Sequence, residues 1–70
     1  MTPSAYLEAL ASLRLSQARL GRLLRVDKGT PIRWGKGSSP IPRAVELLLL
    51  LMASGKVSID DLESLHVSSL

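Results

Sequence analysis

Helix-start residues recur along this chain, and nothing between them alternates in the way a strand needs. Thr2 stands before Pro3, and Ser16, Asp27, Pro42 and Ser58 follow at intervals of roughly one helix each. Thr, Ser and Asp are good N-caps, and proline is favoured at the first helical position. After each start, apolar residues fall at helical spacing. Tyr6, Leu7, Leu10 and Leu13 predict a helix over 3–13. Leu20, Leu23 and Leu24 share one face of a helix opened by Ser16, with Arg19 and Arg22 turned away. A third helix is expected over 27–36, a fourth over 42–53 closed by Gly55, and a short fifth over 58–65. Ser58 with Asp61 has the spacing of a capping box, and residues 67–70 are expected to fray. The fold class is therefore all-α, a small five-helix bundle with no sheet.

Composition narrows the chemistry. Seventy residues leave room for one domain, 1–70. There is no cysteine, and His66 is the single histidine. That inventory argues against disulfide staples, thiolate metal sites and a Ser-His-Asp centre, so neither an enzyme nor a metal or other cofactor is expected. One Trp, one Tyr and no Phe leave the core to Leu, Ile, Val and Ala. Residues 1–13 carry no basic n-region or small-residue cleavage site. The longest apolar run, 47–53, is far short of the roughly 20 residues a bilayer requires. A soluble, cytoplasmic (nucleoid-associated) protein is expected, with no membrane partner and no small-molecule ligand.

The charge is unevenly placed. Between residues 14 and 43 stand eight bases against one acid, a net +7; the remainder holds one base against five acids, a net −4. A basic middle between acidic ends points to a polyanionic partner. The middle also holds two short helices joined by a tight turn. Steep crossing of such helices requires a close approach, and Gly21 stands where that approach falls. Val26 is expected to seal the corner after the turn, and Trp34 to anchor the second helix in the core.

The stretch Leu15-Ser16-Gln17, Leu20-Gly21, Leu23-Leu24-Arg25-Val26, Thr30, Arg33-Trp34, Gly37 and Pro40-Ile41-Pro42 resembles the Cro/CI-type (Xre-like) helix-turn-helix family. These are phage repressors and small bacterial transcriptional regulators of lambda-repressor-like fold. The resemblance spans roughly residues 13–52, with the motif at about 16–36. It implies that helix 27–36 enters the major groove of double-stranded DNA. By that resemblance Lys28, Gly29, Ile32 and Arg33 hold base-contacting positions. Gln17, Thr30, Lys36 and Arg43 match phosphate or minor-groove positions. Arg33 and Lys28 suit guanine, whose O6 and N7 both accept, and Ile32 suits a thymine methyl.

Four residues depart from the family pattern: Arg25 at a turn position commonly Gly, Gly29 at a reading position, Pro31 inside the reading helix and Gly35 where Glu is common. Pro31 leaves two registers open. Asp27 caps and Pro31 falls on the fourth helical position, or Thr30 caps and Pro31 is the first. The fourth helix carries more leucine than one core face needs. Val45, Leu47, Leu48, Leu51 and Met52 form one broad face, and Leu49, Leu50 and Ala53 lie on the other, around Glu46. That second face is expected to be covered partly by the fifth helix and partly by a second subunit, since two-fold pairing sets two reading helices about 34 Å apart. The functional expectation is a homodimeric regulator on a palindromic operator. The alternative is a protein-interaction module on the same scaffold, for which Gly29, Pro31 and the leucine-rich fourth helix speak.

Overall fold

The computed structural model describes residues 1–68, with side chains through residue 65. These residues form five helices and no strand: α1 Pro3–Leu13, α2 Gln17–Leu24, α3 Gly29–Lys36, α4 Arg43–Ala53 and α5 Ile59–Ser68. The helix starts follow from local hydrogen bonding. The Thr2 and Ser16 hydroxyls accept from the backbone N–H groups of Ala5 and Arg19, at 3.1 Å each. Ser58 and Asp61 cap reciprocally. The Ser58 N–H donates to the Asp61 carboxylate at 2.9 Å, and the Asp61 N–H to the Ser58 hydroxyl at 3.0 Å.

Three boundaries differ from the sequence expectation. Helix α3 begins at Gly29, between the two registers that Pro31 left open. The Asp27 carboxylate accepts from the Gly29 N–H at 3.0 Å, and the Asp27 carbonyl accepts from the Thr30 N–H at 2.9 Å. The tight bond to Thr30 satisfies the carbonyl that Pro31 would have left without a donor. Pro31 thus sits in the first turn, where a missing N–H breaks no helical bond. Helix α4 begins one residue after Pro42, whose backbone is extended at φ −59°, ψ 144°. Helix α5 continues to Ser68, past the expected end at 65. The side chain of His66 and the structure of residues 69–70 lie outside the described residues.

Helices α1 to α4 all end in one geometry. A left-handed residue follows the helix, directly at Arg14 (φ 53°), Arg25 (φ 56°) and Gly37 (φ 78°), and after Ser54 at Gly55 (φ 82°). The next N–H then reaches back five residues: Leu15 to the Leu10 carbonyl, Val26 to Gly21, Ser38 to Arg33 and Lys56 to Leu51. This is the Schellman closure, which satisfies carbonyls the helix end exposes. At the end of α1 it carries its usual apolar contact, because Leu10 and Leu15 are both buried. At the end of α2 the corresponding position is Gly21, which has no side chain to offer. Val26 is accordingly 38% exposed and does not seal the corner as expected.

The core joins Tyr6 and Leu10 of α1, Leu15, Leu20 and Leu23, Trp34 of α3, and Val45, Leu49 and Met52 of α4. Helix α1 packs against both α3 and α4, α2 against α3, and α5 against α2. Helix α5 is held by the ion pair between Arg19 and Glu63, and partly buries Leu62. Helix α4 is rotated from the expected orientation. Leu49, expected on the outer face, is fully buried, whereas Leu47 and Leu51, expected inside, are 45% and 43% exposed. As the charged residue bordering the leucine run, Glu46 is expected to mark the solvent side on a helical wheel. Instead Glu46 is half-buried, bonded to the Arg43 guanidinium at 2.7 Å and to the Met1 amino group at 3.3 Å. Those two cations hold its carboxyl below the usual carboxylate range, the Arg43 hydrogen bond contributing most.

Candidate nucleic-acid interface

The orientation of α3 is set by two inward residues one turn apart. Pro31 is fully buried and Trp34 nearly so. A Cβ added to Gly21 of α2 would lie 3.3 Å from the Pro31 Cγ, so the close approach expected at Gly21 is made against the proline ring. Behind Pro31 stands Tyr6, whose buried hydroxyl donates to the Pro31 carbonyl at 3.0 Å. The Tyr6 and Trp34 rings meet edge to face, at 89° with centroids 6.1 Å apart. Burial pushes the Tyr6 hydroxyl pKa up, so it stays protonated and donating. Helix α3 is therefore pinned from one side by α1 and α2, despite its poor intrinsic propensity.

Pinning that side turns the opposite one outward. Lys28, Ile32, Arg33 and Lys36 are exposed, and Gly29 and Thr30 are half-buried at the rim. Ile32 keeps 44% of its surface in solvent. The Arg33 guanidinium bends back over the first turn of α3, where its Nη2 donates to the Thr30 hydroxyl at 2.9 Å. Among the described residues no carboxylate pairs with Lys28, Arg33 or Lys36. Arg19 and Arg43 differ in this respect, being paired with Glu63 and Glu46.

The other candidate residues are placed as follows. Gln17 is the first residue of α2, half-buried, with its amide nitrogen over Gly35. A Cβ on Gly35 would stand 2.7 Å from that nitrogen and 3.2 Å from Leu7 Cδ2. Gly35 therefore makes room for Gln17 beside α1. Arg43 opens α4 with its side chain exposed but bridged to Glu46. On α4, Leu50 is 50% exposed and Ala53 is exposed, while Leu49 belongs to the core. Three side-chain bonds go beyond the sequence expectation. The Thr30–Arg33 and Arg43–Glu46 bonds both have the three-residue spacing that brings helical side chains together, a signal open to reading. The Tyr6–Pro31 bond joins residues 25 apart in sequence and has no local signature.

Among the described residues, no group of three or more His, Cys, Asp or Glu side chains is placed to hold a metal ion. Among the same residues, no helix is long and apolar enough to cross a membrane. Comparison with protein-family models, curated proteins and solved structures finds no match to this chain.

Proposed function

We propose that this chain is a sequence-specific double-stranded DNA-binding regulator of helix-turn-helix type, with α3 as the reading helix in the major groove. The observation that carries the reading is the outward face of α3. Lys28, Arg33 and Lys36, which have no carboxylate partner among the described residues, stand there with the apolar Ile32, on a helix locked from behind by Pro31 and Trp34. A rigid helix with uncompensated basic side chains suits a groove lined by acceptors and flanked by phosphates. In this reading Arg33, Lys28 and Ile32 meet base edges. Lys36, at the end of α3, and Gln17, at the start of α2, meet phosphates, and Arg43 does so on leaving Glu46. The mechanism is occupancy of DNA, without covalent chemistry.

A homodimer belongs to the same proposal. Leu47, Leu50 and Leu51 make an exposed apolar stripe on α4, with the exposed Ala53 at its flank. A second copy of the chain covering that stripe replaces the face first expected around Leu49. The same stripe also favours a second reading, a protein-interaction module in which α4 is the working surface.

Selection from a random duplex library with purified, nuclease-treated protein separates the two. Enrichment of a two-fold symmetric site supports the regulator. Absence of any salt-sensitive duplex retention defeats it and leaves the interaction module.

A further inference from the structure

On the DNA-binding reading above, the geometry points to Gly29 and Thr30 as positioning residues that aim Arg33 at a guanine. By family resemblance these two positions are a base reader and a phosphate contact, and their placement here assigns them different work. Gly29 has no side chain to read with, and the space its Cβ would fill is already taken. That Cβ would stand 2.9 Å from Arg33 Nη1 and 3.1 Å from the Asp27 carboxylate oxygen. The Thr30 hydroxyl is already engaged as the acceptor for Arg33 Nη2 at 2.9 Å. The guanidinium therefore lies in a notch that exists because residue 29 is glycine, tethered by the hydroxyl of the next residue.

The chemistry of the tether matters. The Asp27 oxygen nearest the notch accepts from the Gly29 N–H, and Arg33 has no ion pair among the described residues. A neutral hydroxyl thus orients the cation, while the nearby Asp27 carboxylate is engaged by the Gly29 N–H. Nη2 carries two hydrogens, of which Thr30 takes one. The other, with those of Nη1, remains for the two acceptors, O6 and N7, that guanine presents in the major groove. A long arginine side chain loses substantial rotamer freedom on docking. Holding it before contact removes part of that cost, so the tether favours the one base that matches the fork.

The test compares the full-length wild type with Thr30→Val, Gly29→Ala and Arg33→Ala. Each is carried through the duplex selection and through titrations on the enriched site and its single-base variants over a range of salt. Thr30→Val keeps shape and charge and deletes the acceptor. In Gly29→Ala the flexible end of Arg33 must yield and the Asp27 carboxylate must give by a few tenths of an ångström. Circular dichroism therefore checks that the variant keeps the helix before its preference is read. Arg33→Ala is expected to abolish guanine preference at one half-site position, by about tenfold or more. Thr30→Val and Gly29→Ala are expected to weaken preference at that same position several-fold, with the salt slope unchanged. Wild-type preference in both of those variants, alongside its loss in Arg33→Ala, overturns the positioning role and leaves the DNA-binding reading standing. A uniform loss over all sequences with a shallower salt slope in Thr30→Val makes Thr30 a phosphate contact and also overturns it. No duplex retention by the wild type removes both proposals together.

Discussion

Two arginines occupy backbone conformations that favour glycine. Arg14 and Arg25 have φ of 53° and 56°, in the left-handed region, where a side chain costs roughly 1–2 kcal/mol. Gly37 and Gly55 fill the equivalent places after α3 and α4 without that cost. Arg25 is exposed and has no ion pair among the described residues, so its charge holds no partner that a change would orphan. Arg25→Gly is expected to stabilise the fold by up to about 1 kcal/mol, after the extra entropy glycine brings to the unfolded chain. Urea denaturation measures this, and an unchanged or lower midpoint would show that the left-handed turn is not strained. The same substitution removes one positive charge from the basic middle, so a gain in stability is expected together with weaker binding to polyanions.

At the scale of elements, the crossing of α2 and α3 depends on a glycine meeting a proline ring. A single methyl at Gly21 would already be in tight contact with Pro31, which is itself fully buried and has nowhere to retreat. Gly21→Val is expected to destabilise by about 1–3 kcal/mol, the range for overpacking a filled interior. A thermal melt matching the wild type would mean that the two helices separate more easily than their packing indicates. Helix α5 carries a pH dependence. The Ser58 backbone N–H, followed by its hydroxyl, holds the Asp61 carboxyl below its ordinary value. Folding therefore favours the ionised form. That contribution is complete at neutral pH, begins to fade as pH falls toward about 4, and is gone once pH drops below the native pKa. In Asp61→Asn, which keeps an acceptor but does not titrate, the loss of stability between pH 7 and pH 3 is expected to be smaller than in the wild type. Equal acid sensitivity of the two proteins would remove Asp61 from the account.

For the molecule as a whole, two surfaces make separate predictions. On the proposed DNA-binding reading, Lys36→Ala is expected to weaken all duplex sequences alike and to lower the salt slope by roughly one unit. A loss confined to particular sequences would make Lys36 a base reader. Leu50 is half exposed on α4, so Leu50→Gln is expected to leave monomer stability within about 0.5 kcal/mol. If the α4 stripe joins two copies, sedimentation of Leu50→Gln will shift toward monomer at concentrations where the wild type is dimeric. Wild-type self-association in that variant would place any dimer contact elsewhere.

What the sequence by itself determined lies within a helical turn or two of the residues that carry it. The caps at Thr2 and Ser16, the box of Ser58 with Asp61 and the stop at Gly55 involve residues only a few positions apart, so their chemistry could be read before any packing was known. The inward placing of Pro31 and Trp34, with Lys28, Ile32, Arg33 and Lys36 outside, was legible for the same reason: α3 mixes apolar and charged residues, so its period shows, although Gly29, on the outward side of the same wheel, is half-buried beside Arg33 and Asp27. Tertiary structure decided what local pattern leaves degenerate. In α4 the run of leucines gave the wheel no contrast, and packing against α1 decided that Leu49 joins Val45 and Met52 in the core while Leu47 and Leu51 stay exposed. The start of α3 depended on where Asp27 turned its carboxylate and carbonyl, and the exposure of Val26 on the absence of a side chain at Gly21. The bond from Tyr6 to Pro31 spans 25 positions. Contacts of that kind are chosen by the packing of whole helices against one another, and periodicity along one helix carries no information about which partner it will meet.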